Sequence, residues 1–177
     1  MIFHRLKSIH KNQKGFTLIE LIVAIAITAL IIGVIVMSIF QVFIVNALSS
    51  NHMLAVRQVQ NAGYWINHDV QMAQQEPVIV NSGGVLESIF LTWEGWDSTL
   101  HEVTYTLEDT ELKRSYWNDT GETSEILVAQ YINPDSAKTK CDFTGGVLTL
   151  TVTAAVGTWP KVESETRIYE IIPRPDQ

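Results

Sequence analysis

The sequence of 177 residues contains a single cysteine, Cys141. One thiol excludes a disulfide within the chain and provides none of the cysteine spacings that bind metals. Two interpretations of Cys141 remain open, a small buried apolar side chain and a reactive or intermolecular thiol. A scaffold held together by internal disulfides is therefore excluded.

Charged side chains are absent from residues 21–56, and residues 21–45 are almost entirely apolar. A helix needs about 20 apolar residues to cross a hydrocarbon core of about 30 Å, and this run is longer. A secretory signal peptide has an apolar stretch of about 7–15 residues and a small-residue cleavage site after it, which this sequence lacks. We therefore predict a membrane-spanning helix.

Acidic residues are absent from residues 1–15, which contain Arg5, Lys7, Lys11 and Lys14. The remaining residues hold 8 of the 12 basic and all 19 acidic residues, a formal net charge of −11. Basic residues before a span keep that end in the cytoplasm, so the acidic part should lie outside. A body this acidic has no general attraction for nucleic acid, and we expect no nucleic-acid partner.

One carboxylate, Glu20, stands near the start of the apolar run. An acidic residue at the bilayer centre costs about 2.5–3.5 kcal/mol on insertion scales, and a position near the end of the span reduces this cost without removing it. Glu20 could complement the positive end of the helix dipole. It could also pair with a cation in a low-dielectric setting. A plain membrane anchor explains the length of the run but not this acid.

The heptapeptide from Lys14 to Glu20, KGFTLIE, together with the basic leader and the span, resembles the class III signal of type IV pilins and type II secretion pseudopilins. The resemblance implies that a prepilin peptidase cleaves between Gly15 and Phe16 and methylates the new amino terminus at Phe16. Glu20 and the Phe16 ammonium group could then form an ion pair within one helix, or between neighbouring staggered helices, where the pair would set their register. It also implies contacts with other pilin subunits, an inner-membrane assembly platform and membrane lipid, with no cofactor.

Two further stretches resemble the larger minor subunits of this family, the J-type pseudopilin and the W-type minor pilin. One is residues 62–73, which include Asp69, and the other is residues 103–114, with the pattern V-x-Y-x-L around Tyr105 and L-x-R ending at Arg114. The chain has no C-terminal cysteine pair of the kind found in many major pilins. Both features favour a minor subunit over a major pilin.

Beyond the span, residues 46–75 contain no proline and read as a helix that ends before Pro77. Its predicted buried stripe of small residues is Ala55, Val59, Ala62, Ile66, Val70 and Ala73. Strands rich in β-branched and aromatic residues are predicted at 85–93, 101–107, 111–117, 126–132, 146–154 and 166–173. The fold class is therefore α+β, a long N-terminal helix packed on an antiparallel β-sheet.

The sequence gives little support to a catalytic or metal-binding function. Asp119-Thr120-Gly121 matches the tripeptide of aspartic proteases, but only one copy is present in a polar turn and catalysis needs two carboxylates. The histidines lack metal-site spacing, and the acidic turn around Asp109 is better explained as solvated than as a calcium site. Trp93, Trp96, Trp117 and Trp159 could form an adhesive surface, although packing in the core and hairpins is the ordinary expectation.

These observations predict a non-enzymatic minor pilin or pseudopilin at the tip or in the initiation complex of a pilus or secretion pseudopilus. Its N-terminus would lie inside and its C-terminal domain outside the cytoplasmic membrane before it enters an extracellular or periplasmic filament. The alternatives are a major pilin and a membrane-anchored enzyme or extracytoplasmic binding module. The predicted segments are a cleaved leader (1–15), a transmembrane and assembly helix (16–45), an amphipathic helix (46–76) and a β-rich domain (77–177).

Overall fold

The computed structural model describes residues 15–82, 84–159 and 161–173. By contacts within the chain it divides into two compact units, Met1–Val45 and Asn46–Gln177. The helix α1, Leu18–Met72, contributes residues to both units. The remaining regular elements within these described ranges are eight strands, all of which lie in the second unit.

In the first unit, the side chains of α1 are exposed. This exposure is expected of an apolar segment that lies in a membrane or against other chains. The helix is long and apolar enough to cross a membrane. Its sequence of Ile, Leu, Val and Ala has no intramolecular apolar partner within the described residues of this unit. Burial of this surface therefore has to come from lipid or from other chains.

In the second unit, the stripe predicted from its three- and four-residue spacing is buried, with five of its residues in α1 and Ala73 just after the helix. All six predicted residues have no exposed surface. The helix ends at Met72, three residues before the predicted end. The backbone N–H of Gln74 donates to the Thr92 carbonyl at 3.1 Å, and its side chain bonds both backbone groups of Glu94. These bonds to the sheet draw the chain out of the helix before Pro77 is reached.

The α+β class is confirmed, but the strands form two antiparallel sheets rather than one. The five-stranded sheet A has the order β1-β2-β3-β4-β5, and the three-stranded sheet B has the order β6-β7-β8. Their bounds are β1 Val78–Ser82, β2 Val85–Glu94, β3 Leu100–Glu108, β4 Glu111–Asn118, β5 Thr123–Ala129, β6 Lys140–Thr144, β7 Val147–Thr158 and β8 Lys161–Ile171.

The break between the sheets follows Ala129, where the predicted strand 126–132 ends early. Tyr131 has a positive φ of 61°, and Ile132 then forms an isolated bridge with Ala154 of β7. The chain thereby crosses from sheet A to sheet B. The two strands missing from the prediction, β1 and β6, are five-residue edge strands whose pairing depends on longer neighbours rather than on their own composition.

Candidate functional site

The predicted processing residues precede α1. Gly15 and Phe16 lie outside regular secondary structure, and Phe16 is 92% exposed. A side chain at position 15 would meet no atom within 4 Å. The basic residues of the predicted leader, Arg5, Lys7, Lys11 and Lys14, lie outside the described residues. The described part of the predicted cleavage site is thus an accessible, non-helical segment.

Glu20 caps the start of α1 together with Thr17. The Glu20 carboxylate accepts hydrogen bonds from the Thr17 backbone N–H at 2.8 Å and from its hydroxyl at 2.9 Å. The Glu20 backbone N–H donates to the Thr17 hydroxyl oxygen at 3.3 Å. This reciprocal arrangement is a capping box, which satisfies amide groups that have no partner within the helix.

The capping box has a sequence signature of its own. Our predictions for Glu20, an interaction with the helix dipole or an ion pair, did not use it. Thr17 and Glu20 have the T-x-x-E spacing immediately before an apolar run, which is the pattern of a capping box. The Phe16 ammonium group predicted as the partner of Glu20 does not exist in the uncleaved chain. The Phe16–Glu20 ion pair therefore stays a prediction.

A second cluster lies in the globular unit and joins the two stretches that resemble minor subunits. Asp69 of α1 is 1% exposed. Arg114 of β4 donates to it through Nε at 2.6 Å and through Nη2 at 3.2 Å. The hydroxyl of Tyr105, in β3, donates to the same carboxylate at 2.5 Å. The three residues are brought together from separations of 36 and 45 positions along the chain.

Aromatic rings cover the guanidinium group of Arg114. Its central carbon lies 5.3 Å from the ring centre of Trp65 and 5.6 Å from that of Tyr116. These distances are in the range of cation–π interactions. The side chain of Arg114 is consequently only 12% exposed, so its charge depends on Asp69 for compensation.

The pKa values of Tyr105 and Arg114 reflect their burial and their contacts with Asp69. Burial, reinforced by the charge of Asp69, raises the pKa of the Tyr105 hydroxyl far above its usual value. Burial alone would lower the pKa of Arg114, but the hydrogen bonds and charge of Asp69 outweigh it and the pKa is raised. Tyr105 and Arg114 therefore keep their protons, and the cluster acts as a fixed ionic connection between α1 and sheet A rather than as an acid–base pair.

The other candidate residues occupy ordinary structural positions. Asp119 lies in the β4–β5 turn, where the Asn118 carboxamide oxygen accepts from the Thr120 hydroxyl and the Glu122 backbone, each at 2.8 Å. Glu108, beside the acidic turn, accepts from Lys113 at 2.6 Å. Cys141 is buried, which fits the interpretation as a small apolar side chain. Across the described ranges, no group of three or more His, Cys, Asp or Glu side chains could hold a metal ion.

The tryptophans do not all pack as expected. Trp93 is partly buried and stacks on His101 with ring centres 5.3 Å apart. Trp117 is 39% exposed on the outer face of sheet A. Trp96, in the β2–β3 turn, is 99% exposed, and Trp159, in the β7–β8 turn, is 88% exposed. The expectation of core or hairpin packing is therefore wrong for Trp96 and Trp159, because each occupies a turn that projects away from the core.

Comparison with known protein families gives a match for one segment of the chain. Residues 10–40 match a family model described as the prokaryotic N-terminal methylation motif. No curated protein and no solved structure matches the chain. The matched range includes Gly15, Phe16, the Thr17–Glu20 capping box and the first part of α1. The chain thus carries the class III prepilin signal, consistent with a type IV pilin or pseudopilin.

Proposed function

We propose that this chain is a minor pilin or pseudopilin, a non-enzymatic subunit that enters a type IV pilus or a type II secretion pseudopilus through α1. The observation that carries the proposal is the match of residues 10–40 to the N-terminal methylation motif directly before an apolar helix of membrane-spanning length. A position at the tip or in the initiation complex follows from the minor character of the subunit.

The proposed processing step is cleavage by a prepilin peptidase between Gly15 and Phe16, followed by methylation of the Phe16 amine. The exposed, non-helical backbone at these residues supports this step, because a protease binds an extended segment more readily than a helix. The new ammonium group at Phe16 would lie four residues before Glu20. An ion pair in this apolar setting stabilises assembly only if the two charges meet closely.

The minor type is supported by the Asp69 cluster. The stretches 62–73 and 103–114, which resemble J-type and W-type subunits, supply Asp69, Tyr105 and Arg114. In this proposal, the resemblance of the two stretches to these subunits has a physical basis, because together they form a buried carboxylate cluster that connects α1 to sheet A. The proposed partners are the peptidase, other pilin subunits, the inner-membrane assembly platform and lipid.

The proposed orientation follows from charge, with the basic N-terminus in the cytoplasm and the acidic domain outside. The subunit would leave the membrane for an extracellular or periplasmic filament upon assembly. A membrane-anchored binding module is the competing function, and Trp96, almost fully exposed, is the observation in its favour. A binding module needs α1 only as an anchor, so it does not require a charge at position 20.

Two substitutions at Glu20 separate capping, charge and anchoring. Glu20→Gln retains an oxygen that can accept from Thr17, as glutamine does in capping boxes, but removes the charge. Glu20→Val removes both. We expect both variants to insert into the membrane, and both to be missing from sheared filaments or pseudopili in which the wild-type chain is found. The measurement is the amount of the chain in the membrane and filament fractions.

The glutamine variant distinguishes the explanations. If Glu20→Gln is incorporated normally and Glu20→Val is not, capping alone accounts for Glu20 and the ion pair is refuted. If both variants are incorporated normally, the assembly function of Glu20 is refuted. Loss of both from the membrane fraction would instead show that Glu20 acts during insertion.

A further inference from the structure

The β7–β8 turn has an apolar, exposed surface with no packing partner among the described residues. Trp159 is 88% exposed and Val162 is 47% exposed. Thr158 and Lys161 are exposed as well. We refer to residues 158, 159, 161 and 162 as the proximal tip. A large indole left in solvent on a turn requires an explanation outside the globular unit.

Gly157 holds the proximal tip against α1. Its φ is +114°, a conformation that side chains rarely adopt. A Cβ at this position would overlap the backbone carbonyl of Lys161 and lie 2.9 Å from the Asn51 side-chain nitrogen. The absence of a side chain thus permits a close approach of the tip to α1 at Asn51.

Asn51 is close to the end of the apolar run along the chain. It follows Val45, the last residue of the run, by six positions. Six residues span at most about 20 Å even when fully extended. The proximal tip is therefore within reach of the headgroup layer of a membrane that contains the apolar segment, whatever the arrangement of the two units.

We propose that the proximal tip lies in the membrane interface while the chain is anchored, with Trp159 among the lipid headgroups. This inference rests on the proposed membrane insertion. Tryptophan is enriched at membrane–water interfaces because its ring is apolar and its N–H group can still bond water or headgroups. The contact supports the globular unit on the lipid surface before the subunit leaves the membrane.

Charge does not explain this contact. Residues 46–177 hold 8 basic and 18 acidic residues, a formal net charge of −10. Anionic lipid would repel such a unit. The attraction must therefore come from the apolar surface of the tip, and it should be present on zwitterionic phosphatidylcholine.

The second exposed tryptophan provides a matched control. Trp96 lies in the β2–β3 turn, next to Glu94, which bonds Gln74 just after the end of α1. Asn51 and Met72, both in the globular unit, are about 30 Å apart along α1 at 1.5 Å per residue. Trp96 and Trp159 are both almost fully exposed, and the turns that contain them lie near opposite ends of this part of the helix.

The experiment uses the full chain reconstituted into phosphatidylcholine vesicles with and without acyl chains brominated near their headgroup end, which quench the fluorescence of tryptophans at the adjacent interface. The segment 16–45 contains no tryptophan, so quenching reports only on the globular unit. Wild type, Trp96→Phe and Trp159→Phe are compared. Flotation of each chain with the vesicles measures membrane insertion separately.

We expect quenching of wild type and of Trp96→Phe, and loss of quenching in Trp159→Phe. A floating wild-type chain without quenching, or equal quenching in Trp159→Phe and wild type, overturns the inference alone. Loss of quenching in both variants also overturns it, because the effect is then not specific to the proximal tip. A chain that does not float refutes the proposed insertion and this inference with it.

Discussion

Arg114 Nε lies 2.6 Å from Asp69 Oδ2 and joins β4 to α1 over 45 positions of sequence. The pair is bidentate, with Asp69 buried and the Arg114 side chain 12% exposed, and the Tyr105 hydroxyl donates to the same carboxylate. Burying two charges is unfavourable unless close geometry and further hydrogen bonds compensate. In the described residues, every fully buried side-chain nitrogen and oxygen has a hydrogen-bond partner. The cluster therefore selects one position of the helix on sheet A.

Removing the charge at Asp69 should destabilise the globular unit strongly. We expect Asp69→Asn to lower the free energy of unfolding by about 3–5 kcal/mol, because the guanidinium of Arg114, largely covered by Trp65 and Tyr116, then has no compensating charge. The measurement is urea denaturation of the full chain in detergent, followed by tryptophan fluorescence.

The control for this substitution is Glu108→Gln. It breaks the pair with Lys113, in which the Glu108 side chain is 59% exposed. An exposed ion pair of this kind contributes little to stability because water screens the two charges. Similar losses in Asp69→Asn and Glu108→Gln would show that the buried cluster does not hold α1 on the sheet.

Gly63 is a point of close approach between α1 and β8. A Cβ at this position would overlap the ring of Tyr169, whose hydroxyl donates to the Val59 carbonyl at 3.0 Å. We expect Gly63→Ala to destabilise the unit by about 1–3 kcal/mol through this overlap, although alanine is by itself the better helix former. Denaturation in urea measures the change.

Gly33 provides the matched control in the same helix, since a Cβ there would meet no atom within 4 Å. Gly33→Ala should leave the unfolding of the globular unit unchanged. A neutral or stabilising effect of Gly63→Ala would mean that the Tyr169 ring is not held against α1.

Stability should fall in alkaline solution, in part because of Cys141. Burial raises the pKa of its thiol from 9.0 to about 12. Between these pH values the unfolded chain has released the proton and the folded chain retains it. Stability attributable to this thiol should therefore decrease by about 1.4 kcal/mol per pH unit above pH 9. Burial of Tyr105 acts in the same direction above pH 10.

Cys141→Ala isolates the thiol from the other groups that titrate in base. The stability difference between wild type and this variant should be constant below pH 9 and should shift in favour of the variant above it. Parallel pH profiles of the two chains would contradict the assignment. Labelling of native Cys141 by a thiol reagent near neutral pH would contradict its burial.

Processing at Gly15 can be tested by size. Fifteen of 177 residues at the mean residue mass of the 19.9 kDa chain correspond to about 1.7 kDa. When expressed with its prepilin peptidase, Gly15→Leu should retain these residues, because the proposed cleavage requires glycine at this position. Mass spectrometry of the purified chains should show the difference. Gly33→Ala should be cleaved like wild type, and cleavage of Gly15→Leu would refute the proposed site.

Local features of the fold were predictable because they depend on near neighbours. The spacing of apolar residues identified the six buried positions from Ala55 to Ala73, and turn residues located most strand ends. The strand predicted at 126–132 was placed three residues too far along the chain, since β5 is Thr123–Ala129 and Ile132 pairs with Ala154 rather than with β4. The burial of Asp69 had no local signal, since both of its partners lie on strands 36 and 45 positions away.

The sequence by itself determined the membrane-spanning length of residues 21–45, the class III signal with Gly15, Phe16 and Glu20, and the α+β class. These are properties of contiguous segments, fixed by composition, spacing and charge. Only the tertiary structure decided that the strands divide into two sheets, that Asp69, Tyr105 and Arg114 meet, and that Gly157, two residues before Trp159, approaches Asn51. Each of these depends on contacts between segments that are far apart in the sequence. The hydrogen-bond register and the burial at such contacts are set jointly by both segments, so neither segment alone predicts them.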